Sequence, residues 1–239
     1  MAHVAVWGEF QAAINACIDC KRLGSGLMIH VTEPPPRPPA PYGGELLFIS
    51  EAPPSTGGFW AVPPVKDDLR RNLFSILKGR NVPLPDADAD ACLTGFSRQR
   101  LFLLQTVKWP LCVSARRLRP TERRLIEHSV EAHLAREINA IRPCAIIAMG
   151  RVATYACGKI FGSRGFDFPP NTKLEEVRGG LIDVTYDDGR SRSLYPTGLP
   201  VRRRAADFDL IAQEIGRALV NHWDTGAGDV PRTGSSSET

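Results

Sequence analysis

The hydrophobic pattern of the chain alternates between short unbroken apolar runs and longer stretches with helical spacing. Unbroken apolar runs are typical of strands that are buried on both faces of a sheet. Such runs cover 46–49, 101–104 and 145–148. Residues 181–187 and 191–195 predict a hairpin, because Asp188-Gly189 between them suits a tight turn.

Helical spacing separates these predicted strands. It covers 9–23, 67–78, 121–141, a segment after Gly150, and 205–223. Pro120 and Thr121, followed by Glu122 in the first turn, mark the start of the longest helix. Strands that alternate with helices predict an α/β fold, with three α/β/α layers around a central, mostly parallel four-stranded sheet.

Length and composition fit one domain. The 239 residues, 43% of them hydrophobic, can form a single core, which we assign to residues 1–225. Within this range 33–42 is a proline-rich connector, and we expect the tail 226–239 to be disordered because it has little apolar content. No apolar run approaches the ~18 residues of a membrane span, and the first residues lack a secretory signal pattern. We therefore expect a cytoplasmic protein without a membrane partner, and as a separate expectation a monomer.

The net charge of +4 says less than the positions of the arginines. Five of them fall within residues 116–124, and Arg202, Arg203 and Arg204 are consecutive. Such clusters can neutralise nucleic-acid phosphates, but a solvated helix face has the same composition. Charge alone leaves both interpretations open.

The ends of the predicted strands hold the candidate chemistry, because ligands of such folds bind there. Glu51 follows the first strand, and Phe59 and Trp60 come shortly after it. A carboxylate in this place can orient a water molecule or stabilise positive charge, and an aromatic ring offers a face for a base. The alternative is that Glu51 caps a helix or joins a salt bridge and that both rings are core residues.

The loop after the last predicted strand combines a small-residue turn, Thr197-Gly198-Leu199, with the cluster Arg202–Arg204. An exposed leucine beside cations suits insertion into a DNA duplex, where it fills the gap left by a displaced base. The alternative is a tight loop whose leucine packs locally.

The ordered set of motifs resembles the uracil-DNA glycosylase superfamily, and most closely its iron–sulfur branch. The motifs are Cys17–Cys20, SEAPP at 50–54, LQTVKWPLC at 104–112, RPT at 119–121, RPCAIIAMG at 142–150 and YPTGL at 195–199. The resemblance covers roughly residues 10–220. It implies an enzyme that flips a damaged base such as uracil out of DNA and hydrolyses its N-glycosidic bond.

The same resemblance implies roles for the base-binding residues. Glu51 would position water or stabilise the sugar cation, and Ala52 beside it would contact the substrate. Gln105 takes the place of an asparagine that reads the base edge, and it is one methylene longer. A ring of the loop would stack on the base, and the spacing from Gly57 favours Trp60 over Phe59.

At the YPTGL motif the chain departs from the family. Tyr195 replaces a histidine that stabilises the departing base, and a phenol carries no positive charge near neutral pH. Losing such a stabiliser can cost ~10²-fold in rate. Leu199 would be the wedge and Thr197 a phosphate contact, with Gly198 between them and Arg202–Arg204 on the DNA backbone.

The iron–sulfur branch holds its cluster with four cysteines. The corresponding positions here are Cys17, Cys20 and Cys112, and His128 when the RPT motif sets the register. Alignment on Arg142-Pro143 would instead give Val130, which cannot ligate a metal. Three thiolates and an imidazole could hold a [4Fe–4S] cluster or zinc, and a site without metal is the third alternative. We expect such a centre to be structural.

The sequence assigns no chemical role to the remaining cysteines and to two of the histidines. Cys92, Cys144 and Cys157 are predicted core thiols, and His133 and His222 are predicted helix-surface residues. Two further functions stay open besides the glycosylase. One is a protein of the same fold that binds DNA or a nucleotide without excision, and the other is a nucleoside- or nucleotide-processing enzyme on the same scaffold.

Overall fold

The computed structural model describes residues 2–23, 46–54, 58–60, 67–86, 89–109, 120–201 and 205–224. The proline-rich connector 33–42 and the tail 226–239 lie outside these ranges. So do Cys112, most of the first arginine cluster, and Arg202–Arg204. Within the described ranges, no helix is both long and apolar enough to cross a membrane.

The helices and strands follow the alternation that the sequence predicts. The helices are α1 (Ala2–Ala16), α2 (Ile18–Leu23), α3 (Asp68–Gly79), α4 (Ala89–Arg98), α5 (Pro120–Ser129), α6 (Ala135–Ile141), α7 (Gly150–Phe161) and α8 (Ala205–Asp224). The strands are β1 (Leu46–Ser50), β2 (Leu101–Gln105), β3 (Ala145–Met149), β4 (Ile182–Thr185) and β5 (Ser191–Thr197). Among the described helices, α4 alone has no counterpart in the prediction.

The sheet has the order β2-β1-β3-β5-β4, in which β4 alone runs antiparallel to its neighbour. The prediction of a mostly parallel sheet is confirmed, but the described residues form five strands and not four, because both arms of the predicted hairpin join the sheet. Strands β1, β2 and β3 are buried along their whole length. This explains their unbroken apolar runs, since helices cover both faces.

Two helical layers enclose the sheet. Helices α7 and α8 both pack against β3 and β5, with α5 packed on α7 and α3 packed on α8. The N-terminal helices extend the first of these layers, because α1 packs on α6 and α2 on α5. The predicted three-layer α/β/α architecture is therefore confirmed.

The long helix predicted over 121–141 is present but not regular. Between α5 and α6 lies a π-helical turn, Val130–Leu134, in which the N–H of Ala135 donates to the carbonyl oxygen of Val130. Such a turn adds one residue to the hydrogen-bonded ring, and π turns occur often at functional sites. The prediction of surface histidines is wrong, because His133 on this turn and His222 on α8 are both buried.

Candidate active site and candidate metal centre

The carboxyl ends of four strands form one row at an edge of the sheet. Ser50 of β1 pairs with Gln105 of β2, and Met149 of β3 pairs with Thr197 of β5. The register between β1 and β3 brings Ser50 and Met149 to the same level. Ligands bind outside this end of a parallel sheet, so the row defines the rim of the candidate active site.

Glu51 and Ala52 leave β1 just beyond this row, and both are half-buried. The hydrogen-bond ladder continues past the strand, because Thr106 N–H donates to the carbonyl of Ser50 at 2.8 Å and Val107 N–H to that of Glu51 at 2.9 Å. The backbone of Glu51 is therefore fixed by the segment that follows β2. A carboxylate on such a rigid support can act on a substrate at the rim.

Gln105 ends β2 and is buried next to the rim. Its backbone carbonyl accepts a hydrogen bond of 2.7 Å from the Lys108 Nζ, and the same ammonium forms a salt bridge with Glu137 of α6. The side chains of Lys108 and Glu137 are only 2% and 5% exposed. This buried ion pair connects the exit of β2 to α6.

The two candidate stacking rings lie in the core. Phe59 packs edge-on against Trp60, Phe74 and Phe96, with centroids 5.1, 5.5 and 5.3 Å away. The Trp60 indole donates to the Leu103 carbonyl at 3.1 Å. In this conformation neither ring offers a face to a base, which agrees with the alternative of core residues.

Helix α3 holds two loops of the rim. Its N-cap Asp67 accepts from the N–H of Arg70, whose guanidinium donates to the Phe59 carbonyl at 3.1 Å. Two residues further along the helix, the Asn72 side-chain amide donates to the Pro200 carbonyl at 2.7 Å. The loop that contains the aromatic residues and the loop with Leu199 are therefore anchored to one rigid helix.

Tyr195 lies deeper than the rim. It pairs with Ile147, which pairs with Phe48 in turn, so Glu51 is three residues further along the strand direction. At ~3.3 Å per residue this offset is about 10 Å. Tyr195 is buried and lines a cavity of about 200 Å³ between β5 and α8, together with Thr197 and Glu214.

The loop after β5 is closely packed. The Thr197 hydroxyl donates to a Glu214 carboxylate oxygen at 2.5 Å, and the residue is only 1% exposed. A Cβ at Gly198 would lie 2.7 Å from the side chain of Ile211, so a larger residue there would force Ile211 to move. Half-buried Leu199 packs against Gly150 at the start of α7, where a Cβ would lie 3.0 Å from the leucine. Arg202–Arg204 lie outside the described residues.

Four potential metal ligands meet between the N-terminal helices and the helix that follows the RPT motif. They are Cys17, Cys20, His128 and His133, and their donor atoms all lie within 4.8 Å of one another. The Cys17 Sγ is 3.3 Å from the His128 Nε2, and the Cys20 N–H donates to the Cys17 Sγ at 3.4 Å. This Cys/His group could bind a metal ion.

Three of these four residues were candidates from the sequence, and His133 was missed. Cys17 lies between α1 and α2, Cys20 is buried in α2, and α2 packs on α5, which carries His128. Burial raises the pKa of the Cys20 thiol, and the hydrogen bond with Cys17 adds to this effect. The fourth predicted ligand, Cys112, lies outside the described residues.

Comparison with known proteins gives one family. A family model described as the uracil DNA glycosylase superfamily matches residues 40–209 of the chain. A search among curated proteins finds no match.

Proposed function

Because the chain belongs to the uracil DNA glycosylase superfamily, we propose that it excises a damaged, deaminated base such as uracil from DNA. The observation that carries this proposal is the position of Glu51. Its backbone is fixed at the carboxyl edge of the sheet by Val107, next to buried Gln105. The acting unit that we propose is a cytoplasmic monomer built from residues 1–225.

The proposed reaction is hydrolysis of the N-glycosidic bond. As the bond between the sugar C1′ and the base nitrogen breaks, its electron pair leaves with the base and positive charge develops on the sugar. The Glu51 carboxylate stabilises this charge and orients the water whose oxygen adds to C1′. One proton of that water is finally taken up by the departing base.

Gln105 is the proposed reader of the base. A side-chain amide offers one acceptor and two donors, which can pair with the edge of a flipped pyrimidine. Because Gln105 is buried, a base that leaves its amide unpaired is disfavoured, which gives selectivity. Ala52, which follows the neighbouring strand β1, would contact the same base, and Phe59 and Trp60 would pack beneath the pocket as core residues.

A second candidate function, binding DNA or a nucleotide without excision, is favoured by the position of Tyr195. The residue lies about 10 Å inward from Glu51 along the strand direction, on β5. From that depth we do not expect it to touch the same reacting bond. The glycosylase proposal then depends on Glu51 and Gln105, and Tyr195 serves the packing of β5 against α8.

Replacement of Tyr195 by Phe tests this division of roles. We expect excision to stay within about tenfold of the wild-type rate, since the register places Tyr195 about 10 Å inward from Glu51 along the strand direction. A stabiliser of the departing base would instead cost ~10²-fold when removed. Single-turnover excision rates measure the difference, and a loss of that larger size would assign Tyr195 to the leaving base.

The proposed DNA interface is the loop that follows β5. Leu199 would enter the duplex as a wedge, and Arg202, Arg203 and Arg204 would bind phosphates of double- or single-stranded DNA. Thr197 and Gly198 hold the start of this loop against α8. The Thr197 hydroxyl bonds to Glu214, and Gly198 lies next to the side chain of Ile211. In the described conformation Leu199 still packs on Gly150 and must leave it to act.

Replacement of Asn72 by Ala should weaken DNA binding, because the Pro200 carbonyl loses its hydrogen bond to α3. We expect a modest loss of stability of ~1 kcal/mol and a several-fold loss of affinity. Fluorescence anisotropy with a labelled duplex measures the affinity. The control is Asn139→Ala, which removes an exposed hydrogen bond to Asp187 elsewhere. Equal affinities of the two variants would contradict a role of α3 in holding the loop.

A metal centre in this protein would be structural. The resemblance implies a [4Fe–4S] cluster on Cys17, Cys20, Cys112 and His128. Each ligand of such a cube binds a different iron, whereas the described members of this set, Cys17, Cys20 and His128, have donor atoms within 4.8 Å of one another, close enough to share one ion. The described donors do not fit a cube, and no step of the proposed reaction uses one.

Excision assays with synthetic oligonucleotides test the proposed function. Duplex and single-stranded substrates that contain uracil, hypoxanthine or xanthine are incubated with the protein, and abasic sites are cleaved with alkali. We expect strand cleavage for at least the uracil substrate. Tight binding with no abasic product on any substrate would establish the second candidate function instead.

A further inference from the structure

We propose that His133 is a metal ligand and that Cys17, Cys20, His128 and His133 together bind one zinc ion. This site differs from the set that the motifs suggest, because His133 replaces Cys112 and one ion replaces a cluster. The inference does not depend on glycosylase activity, since it concerns only the four side chains and their contacts.

The distances between the donor atoms fit a single ion. Zinc with two thiolates and two imidazoles has bonds of ~2.3 and ~2.0 Å, so its ligand atoms lie about 3.3–3.8 Å apart. The Cys17 Sγ and the His128 Nε2 are already 3.3 Å apart, and all four donors lie within 4.8 Å. Shifts of about 1 Å or less would complete a tetrahedron.

The π turn explains how His133 reaches the other ligands. In a regular α-helix with 3.6 residues per turn, side chains five positions apart point roughly 140° away from each other. The wider i→i+5 turn at Val130–Leu134 brings the fifth residue back towards the face of the first. The rings of His128 and His133 accordingly lie 6.3 Å apart and almost perpendicular to each other.

The chemistry of the four donors also favours zinc. Two thiolates balance the charge of one divalent ion, so the bound site is neutral, which suits a place where Cys20 and His133 are 0% and 6% exposed. The hydrogen bond from the Cys20 N–H to the Cys17 Sγ stabilises a thiolate in the tight turn between α1 and α2. Nitrogen and sulfur ligands in a closed tetrahedron are typical of structural zinc.

Metal analysis and cobalt substitution test this proposal on the full chain without DNA. We expect about one zinc ion per chain and no acid-labile sulfide. Replacing zinc by Co²⁺ should give the visible bands of a tetrahedral ion together with a thiolate-to-cobalt charge-transfer band. These readouts are independent of excision, so an inactive protein that binds zinc in this way would refute only the proposed function.

Substitutions show whether His133 or Cys112 is the metal ligand. We expect His133→Ala to lower zinc affinity by roughly 100-fold or more, since the loss of an outer partner alone costs 10–100-fold. Cys112→Ala and the buried-histidine control His222→Ala should leave it unchanged. His133→Cys provides a thiolate ligand in place of the imidazole and should keep one Co²⁺ per chain with a stronger charge-transfer band. This result would show that His133→Ala loses zinc because it lacks a ligand and not because it is misfolded.

Three results would overturn the proposal. The first is a wild-type protein that contains about four irons and labile sulfide per chain, when Cys112→Ala loses both the iron and the sulfide. The second is a His133→Ala variant with wild-type zinc affinity and an unchanged cobalt spectrum. The third is a folded wild-type chain that takes up neither zinc nor cobalt.

Discussion

Replacing Glu51 by Gln is expected to lower the single-turnover excision rate by about 10²–10³-fold while DNA affinity stays close to that of the wild type. Glutamine keeps the size of the side chain and removes only its negative charge. Because Val107 fixes the backbone of Glu51, the new amide should occupy the same place at the rim. The loss would then report the charge that stabilises the sugar cation.

The measurement for Glu51→Gln is the formation of abasic sites with protein in excess over DNA. The control is Glu175→Gln, which removes an exposed carboxylate from a turn that lies outside the rim row and should leave the rate unchanged. An excision rate of Glu51→Gln within threefold of the wild type would remove Glu51 from the reaction and, with it, the main support for the proposed mechanism.

Replacing Lys108 by Met should produce the largest loss of stability, about 3–5 kcal/mol, because it leaves the Glu137 carboxylate buried without its partner charge. Both side chains are almost fully buried, and Lys108 also holds the Gln105 carbonyl. Urea unfolding of the purified protein measures the change in the free energy of unfolding. Excision should fall as well, since the exit of β2 loses its connection to α6.

A double variant distinguishes a buried charge from a loss of packing. Lys108→Met combined with Glu137→Met removes both charges, and buried ion pairs can often be replaced by apolar pairs at little cost. We therefore expect the double variant to be more stable than Lys108→Met alone. Lys78→Met, which breaks an exposed pair with Asp86, should change the midpoint of unfolding little. A Lys108→Met midpoint equal to that of Lys78→Met would contradict the prediction.

The sequence predicted most of the fold because burial on both faces leaves an unmistakable pattern. Leu46–Ser50, Leu101–Gln105 and Ala145–Met149 are apolar almost throughout, and the structure buries each of them. Helix α4 was missed because Ala89–Arg98 mixes polar and small residues. The predicted number of strands was one too low. The hairpin could be recognised from local sequence, but whether both of its arms join the sheet depends on long-range pairing.

The candidate site was less predictable, because its residues are brought together by long-range contacts and by an irregular helix. The depth of Tyr195 depends on the register with Ile147, and a motif does not specify that register. His133 was assigned to a helix surface because the sequence shows no partner for it, and regular helical periodicity would turn it away from His128. A π turn changes this periodicity, and the residue types of Val130–Leu134 do not predict such a turn.

The contact between Cys17 and His128 joins residues that are 111 positions apart, which matters for the order in which the protein forms during synthesis. Ribosomes add about 5–20 residues per second, so the N-terminal helices emerge several seconds before the helix against which they pack. During that interval Trp7, which the finished protein buries, lacks its contact with the ring of Phe102. These helices therefore need protection from aggregation until residue 133 has left the ribosome.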